Sequence, residues 1–96
     1  MKPINWNTDK NMQLKAERGI SFEEVLVAMY QGTLLDVIEH PNKDKYPNQR
    51  ILVVRIRDYA FLVPFVETNE EIFLKTIIPS RSATRSYLPE ENNNEK

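Results

Sequence analysis

The amino-acid sequence predicts an α+β fold, in which two N-terminal helices pack on one face of a four-stranded antiparallel sheet and a short helical stub follows. Apolar residues recur at helical spacing in the first third of the chain and form strand-like runs after it. The connections between the last three runs are short, which indicates antiparallel pairing because parallel strands need long crossovers. Helices that precede a set of strands are typical of a sheet covered by helices on one face.

The first helix is predicted over residues 7–18. Asn7 or Thr8 can cap its start, Asp9 favours the first turn, and Gly19 follows in the usual position after a helix. Because the segment has few apolar residues, we expect this helix to cover only the edge of the core.

The second helix begins with a capping box, since Ser21 is followed three residues later by Glu24. Its end is predicted at Gly32. The apolar residues between these points recur at helical spacing, which supports the helix: Phe22, Val25, Leu26, Met29 and Tyr30.

Four strands are predicted after Gly32, and a loop over residues 40–49 separates the first from the second. They span residues 34–39, 51–56, 59–67 and 71–78. Residues 81–88 are predicted to form the helical stub, which Pro89 ends. Residues 1–89 are thus expected to form a single domain, and the acidic and polar residues 90–96 a disordered tail.

Two-residue turns at residues 57–58 and 69–70 would set Arg55 opposite Ala60 and Pro64 opposite Lys75. One sheet face is then apolar and is predicted to lie under the helices: Leu52, Val54, Ile56, Phe61, Val63, Phe65, Leu74 and Ile78. The other face is predicted to be basic, half-apolar and open, and to carry Arg55, Leu62, Pro64, Lys75 and Ile77. The predicted core contains Phe22, Leu26, Phe61, Val63 and Leu74.

The composition excludes several classes of chemistry. The chain of 96 residues has no cysteine and one histidine, so disulfides, thiolate nucleophiles and histidine-based metal clusters are excluded. Two glycines leave no phosphate-cradling loop, and neither a cofactor nor a metal is expected. The first residues do not resemble a signal peptide and no run is long enough to span a membrane, so a cytoplasmic location is expected. The formal charge of −1 argues against independent binding of duplex DNA.

The candidate site residues are basic. Arg81 follows the last predicted strand, where its guanidinium can make a bidentate contact with a phosphate. The alternative is a solvated arginine beside a helix cap. Arg55 and Lys75 are candidates for phosphate-backbone contacts, or are ordinary residues of a wet sheet face. His40 is the one side chain that ordinarily titrates near neutral pH, which makes it a candidate acid or base, although it can equally be a structural histidine at a strand end.

Two segments resemble the BrnT-like toxins of bacterial toxin–antitoxin pairs. The first is Trp6-x-x-x-Lys10 followed by residues 19–25 (Gly-Ile-Ser-Phe-Glu-Glu-Val), and the second is residues 80–84 (Ser-Arg-Ser-Ala-Thr). The resemblance covers roughly residues 4–87. Three features depart from the family. Residues 17–18 are Glu-Arg where the family usually has Lys-His, the last helix is cut short before Pro89 where the family has a longer helix with a glutamate, and the net charge is −1 where members are often basic.

The resemblance implies a RelE-like fold and a ribonuclease that needs no metal, slows translation and is neutralised by a co-expressed antitoxin, often a ribbon-helix-helix DNA-binding protein. It implies that Arg81 stabilises the transition state. Backbone contacts would come from Arg55, Lys75, Arg85 and Lys10. The base is open among His40, Arg18 and Lys10. Two alternatives are a non-catalytic RNA- or protein-binding module on the same fold, and an unrelated small α+β interaction domain.

Overall fold

Six strands and three helices make up the part of the chain that the computed structural model describes, residues 2–89. The expected tail at residues 90–96 lies outside the described residues. In chain order the elements are β1 (Ile4–Trp6), α1 (Thr8–Arg18), α2 (Phe22–Tyr30), β2 (Leu34–Glu39), β3 (Gln49–Ile56), β4 (Tyr59–Glu67), β5 (Ile72–Leu74), β6 (Ile78–Pro79) and α3 (Arg81–Tyr87). The predicted α+β class is confirmed.

The sheet is mixed rather than four-stranded and antiparallel, so that prediction was wrong. Its strand order is β1-β5-β4-β3-β2, and β6 pairs with β4. The first strand, β1, runs parallel to β5 with Ile4 opposite Ile72. A parallel pair is possible here because both helices and three strands lie between its members in sequence, which is ample length for a crossover. The sequence did not predict β1, because its three residues directly before the cap of α1 are too few to show a strand pattern.

The central hairpin of β3 and β4 has the predicted register, with Arg55 opposite Ala60. Arg57 and Asp58 form its two-residue turn, both with positive φ (54° and 64°) as in the turn type that matches strand twist. Left-handed backbone costs non-glycine residues roughly 1–2 kcal/mol each. Tertiary contacts offset this cost, since Arg57 donates to the carbonyl of Gly19 at 3.0 Å and pairs with Glu24.

The last predicted strand is interrupted, which reverses the predicted orientation of two residues. Lys75 still lies opposite Pro64, whose carbonyl accepts its N–H at 2.8 Å, as predicted. The strand pattern then stops and resumes at Ile78. Ile77 is buried in the core and Ile78 is exposed, the opposite of the prediction. Strict alternation fails here because the break between β5 and β6 changes which face each residue meets.

The main core lies between the sheet and the two N-terminal helices. Phe22, Val63 and Leu74 are buried as predicted, whereas Leu26 and Phe61 are only half-buried. Trp6 stacks on Phe22 with 5.5 Å between ring centres. The buried residues of this core are Leu14, Ile20, Phe22, Val25, Ala28, Leu52, Val54, Ile56, Val63, Phe65, Leu74 and Ile77.

The opposite sheet face is covered by α3, so the prediction of an open face was wrong there. A second apolar cluster joins Val53 and Ala60 of the sheet to Ala83 and Leu88 of the C-terminal segment. Pro64 on this face is also buried. The reason is that β3 and β4 carry apolar residues on both faces, and a second face of this kind has to be covered.

A buried asparagine connects the two N-terminal helices. The carbonyl oxygen of Asn11 accepts the N–H of Phe22 at 2.8 Å, and its amide donates to the Glu23 carboxylate at 2.8 Å. The second bond, with help from Lys15, holds the pKa of Glu23 below its usual value. Asn11 thus satisfies a backbone donor that α2 would otherwise leave unpaired at its first residue.

Substituting Asn11→Ala should lower the free energy of unfolding by about 1–3 kcal/mol, because the Phe22 N–H would be left buried without an acceptor. The measurement is urea denaturation. Gln13→Ala is the control, since Gln13 is exposed and bonds only to Glu17 on the same helix. An equal effect of both substitutions would contradict the bridging role of Asn11.

Candidate nucleic-acid interface

The C-terminal helix α3 is held on the sheet from its first turn. Ser80 caps it, since the Ser80 hydroxyl accepts the N–H of Ala83 at 3.1 Å. The N–H of Ser80 itself donates to the carbonyl of Ala60 at 3.0 Å, which continues the pairing of β6 with β4. The start of α3 is therefore fixed to β4, the second strand of the central hairpin.

Thr84 makes the second attachment. Its hydroxyl accepts the N–H of Ala60 at 2.9 Å and donates to the carbonyl of Ser80 at 2.8 Å. Thr84 and Ala83 are both buried. The motif residues Ala83 and Thr84 thus face the sheet, and this orientation leaves the arginines of the same helix on the outside.

Arg81 and Arg85 lie one helical turn apart and are both exposed. With Tyr59 and Thr84 they line an open cavity of about 420 Å³. Within residues 2–89, neither guanidinium has an ion pair or a hydrogen bond. Two such arginines are suited to binding a phosphate. Tyr59 borders the cavity as the first residue of β4, and its ring packs edge-on against Phe61 at 5.8 Å on the main-core side of the sheet. We call the four lining residues the α3 groove: Tyr59, Arg81, Thr84 and Arg85.

Arg55 and Lys75 are on the same sheet face as the α3 groove, at different distances from it. Arg55 lies opposite Ala60 and pairs with the Asp58 carboxylate at 2.5 Å. Lys75 lies opposite Pro64, four residues further along β4, which is about 13 Å at the usual strand rise. Arg55 shares the sheet face of α3 but lines a separate cavity with Arg57 and Asp58, and Lys75 could meet only a longer ligand.

His40 is at the other end of the sheet. Its N–H donates to the carbonyl of Gln49, which lies seven residues from Ile56 along β3, about 23 Å at the usual strand rise. Its ring nitrogen Nδ1 accepts the N–H of Asn42 at 3.0 Å, and the ring packs against Tyr46 at 4.4 Å. These contacts organise the loop after β2 and do not bring His40 to Arg81.

Arg18 and Lys10 belong to α1, which packs on the face of the sheet opposite to α3. The Arg18 guanidinium donates to the carbonyl of Ile77 at 2.7 Å and ties the end of α1 to the break between β5 and β6. Lys10 is in the first turn of α1, where its N–H donates to the Asn7 cap at 2.9 Å. The structure therefore brings Arg81 and Arg85 together. It places Arg55 in a different cavity, and Arg18, Lys10 and His40 in other parts of the fold.

A larger cavity of about 560 Å³ lies near the ends of β3 and β4, far from α3. Its cations already have partners: Lys2 and Arg50 both pair with Glu67, and Lys43 pairs with Glu39. The hydrogen bond and charge of Lys2, together with Arg50, lower the pKa of Glu67. Because its charges are internally compensated, this cavity is a poorer anion site than the α3 groove despite its size.

Thr84 was not predicted as a member of the site, since the sequence shows it only as part of a motif and as a possible cap. Tyr59 was predicted only as a residue that could stack on a base, with Trp6 more typical of a core anchor. The available signal for Thr84 is Ala60, whose N–H the Thr84 hydroxyl accepts, because a small buried residue in a strand is typical of a place where another element packs closely.

Within residues 2–89 no three acidic or histidine side chains come together as a candidate metal site. None of the described helices has the length and apolar character needed to cross a bilayer. Comparison of the chain with protein-family models, curated proteins and solved structures found no match. The functional assignment therefore depends on the geometry of the α3 groove and on the motifs.

Substituting Thr84→Val should lower the free energy of unfolding by about 1–3 kcal/mol, because the buried N–H of Ala60 loses its acceptor while the side chain keeps its shape. Thr84→Ser is the matched control, since it retains the hydroxyl and should lose less. Both are measured by urea denaturation. If Thr84→Ser destabilises as much as Thr84→Val, methyl packing rather than the hydrogen bond holds α3.

Proposed function

We propose that this chain is the toxin of a type II toxin–antitoxin pair, a metal-independent ribonuclease of RelE-like fold that acts in the cytoplasm to slow translation. The observation that carries the proposal is the pair Arg81 and Arg85, both without a partner among residues 2–89, on a groove that also contains Tyr59. The order of the motifs along the chain supports it independently.

In the proposed reaction the 2′-oxygen of a ribose attacks the adjacent phosphorus and the bond to the 5′-oxygen breaks. The 2′-hydroxyl proton leaves to a base, and the departing 5′-oxygen takes up a proton. In the transition state negative charge develops on the non-bridging phosphate oxygens, and Arg81 stabilises that charge by a bidentate, charge-assisted contact. Arg85 and Arg55 hold flanking phosphates. The base is unassigned, because the three candidates from the sequence, His40, Arg18 and Lys10, all lie away from Arg81. In the proposed reaction water therefore takes up the 2′-hydroxyl proton.

A second candidate function is a non-catalytic RNA-binding module on the same fold. The specific observation in its favour is the distance of about 23 Å that separates the His40 end of β3 from its hairpin end. The residues that line the α3 groove also include no carboxylate and no imidazole. Incubating purified protein with single-stranded RNA separates the two candidates, since only the ribonuclease yields shorter products.

The proposed partner is a small antitoxin that carries the DNA-binding function, of ribbon-helix-helix type, because the net charge of −1 disfavours independent binding of duplex DNA by this chain. Expression of the chain alone in bacteria should arrest growth, and co-expression of the adjacent gene's product should restore it. An adjacent gene product that neither binds the chain nor restores growth would contradict the toxin–antitoxin assignment.

Substituting Arg81→Ala should reduce RNA cleavage about a hundredfold or more, since loss of one donor to the transition-state charge costs roughly 3–4 kcal/mol. The measurement is the single-turnover rate on a labelled RNA. Lys43→Ala is the matched control, because it removes the same charge from an exposed residue at the other end of the sheet. We expect added chelator to leave the rate unchanged.

Unchanged cleavage by a folded Arg81→Ala variant would remove Arg81 from the mechanism. An equal loss in Lys43→Ala would mean that total charge matters rather than the α3 groove. Loss of cleavage on adding chelator would contradict the metal-independent mechanism.

A further inference from the structure

Exposed apolar side chains are concentrated at the end of α2 and on the adjoining edge strand β2. Tyr30 is 88% exposed and Val27 is 51% exposed, and they lie one turn apart on α2. Leu34 and Val37 of β2 are 37% and 40% exposed. We call these four residues the α2–β2 patch. It lies on the side of the sheet opposite to α3, since Leu34 and Val37 pair with Val54 and Leu52 of the main core.

An apolar cavity of about 180 Å³ opens within this patch. Its lining is entirely apolar apart from the Tyr30 hydroxyl: Ile4, Leu26, Met29, Tyr30 and Leu34. A cavity of this size takes one large side chain, as the pockets that receive interface anchors do. The patch therefore presents a projecting side chain, Tyr30, directly beside a cavity that fits one.

The charges near the patch are already neutralised by residues from other elements. Glu24 pairs with Arg57, and Glu39 pairs with Lys43 at 2.6 Å. Glu23 accepts from Asn11 and lies 3.9 Å from Lys15. Neither a strongly basic nor a strongly acidic partner would gain charge complementarity here, which favours an occupant with an equally apolar contact surface.

One outward backbone donor on the edge of β2 is already bonded within the chain. The N–H of His40 donates to Gln49, and since alternate residues of an antiparallel strand face the partner, the N–H of Val37 points away from β3. The Asp36 carboxylate accepts that N–H at 2.8 Å and also accepts the Tyr87 hydroxyl at 2.6 Å, which raises the pKa of Tyr87. This bond favours docking through side chains over pairing with an added strand.

We propose that the α2–β2 patch is the interface of a two-fold symmetric dimer, in which Tyr30 of each copy enters the cavity beside Tyr30 of the other. In a two-fold symmetric dimer the same patch of both copies meets. The projecting Tyr30 of each copy therefore faces the cavity of the other, and the same contact forms twice. The inference goes beyond the proposed ribonuclease activity and does not depend on it.

The patch can supply the centre of such an interface. Its four residues expose an area on the order of 400 Å², about half of the roughly 800 Å² that one side of a standard interface covers, and the polar residues around it would form the rim. Both α3 grooves would remain open in such a dimer, since α3 is on the opposite face of each sheet.

The test is sedimentation velocity of the full chain over a concentration series up to about 500 µM, where micromolar interfaces are populated. We expect a monomer–dimer equilibrium that added salt leaves nearly unchanged. Tyr30→Lys and Leu34→Asp should each weaken the dimer at least tenfold, and Tyr30→Phe should retain it. Met12→Lys is the matched control, since Met12 is 61% exposed on α1 and lies outside the patch.

A wild-type chain that stays monomeric over the whole series would overturn the proposal, and so would a dimer that Tyr30→Lys leaves intact. A monomer that instead binds the adjacent gene's product through Tyr30 would assign the patch to that partner and equally reject the self-interface. Circular dichroism at low concentration checks that each variant is folded, and RNA cleavage by the same samples is scored separately.

Discussion

The structure depends on a central hairpin that is apolar on both faces. Val54 and Val63 point to one side of the sheet and Val53 and Ala60 to the other, and all four are fully buried. Two helices cover the first side. The second side has to be covered as well, because apolar area of this kind left in water costs about 25 cal/mol per Å². The short helix α3 meets that requirement, and its position follows from it.

The candidate site is a consequence of how α3 is attached. A helix of seven residues is too short to be stable alone, so its orientation is set by its contacts with the sheet. Ala83 and Thr84 provide these contacts, and helical geometry then directs Arg81 and Arg85 outwards beside Tyr59. Packing and ligand-facing residues thus lie on adjacent faces of the same helix, and the bond from Ala60 to Thr84 holds the arginines in place.

Elements with strong local signals were predictable, and elements specified by tertiary contacts were not. The Ser21 cap and the turn at residues 57–58 are local, so the start of α2 and the register of the central hairpin were predicted correctly. The Glu24 carboxylate pairs with Arg57 instead of completing the predicted capping box. The parallel strand β1 depends on a partner nearly seventy residues away. Ile77 is buried and Ile78 is exposed because the strand is interrupted between β5 and β6, and the alternation of apolar residues in the sequence does not show that interruption. Of the site, the arginines stand out by residue type, whereas the role of Thr84 requires knowing that Ala60 lies under it.

The central claim is that α3 and the start of β4 form the surface that meets RNA. Its most direct test is a titration of isotopically labelled protein with a short single-stranded RNA, followed by amide and arginine side-chain chemical shifts. We expect the largest changes at Tyr59, Arg81, Thr84 and Arg85, with little change around Asn42 and Tyr46. Changes confined to the His40 end of the sheet, or no changes at RNA concentrations that saturate cleavage or binding, would contradict the claim.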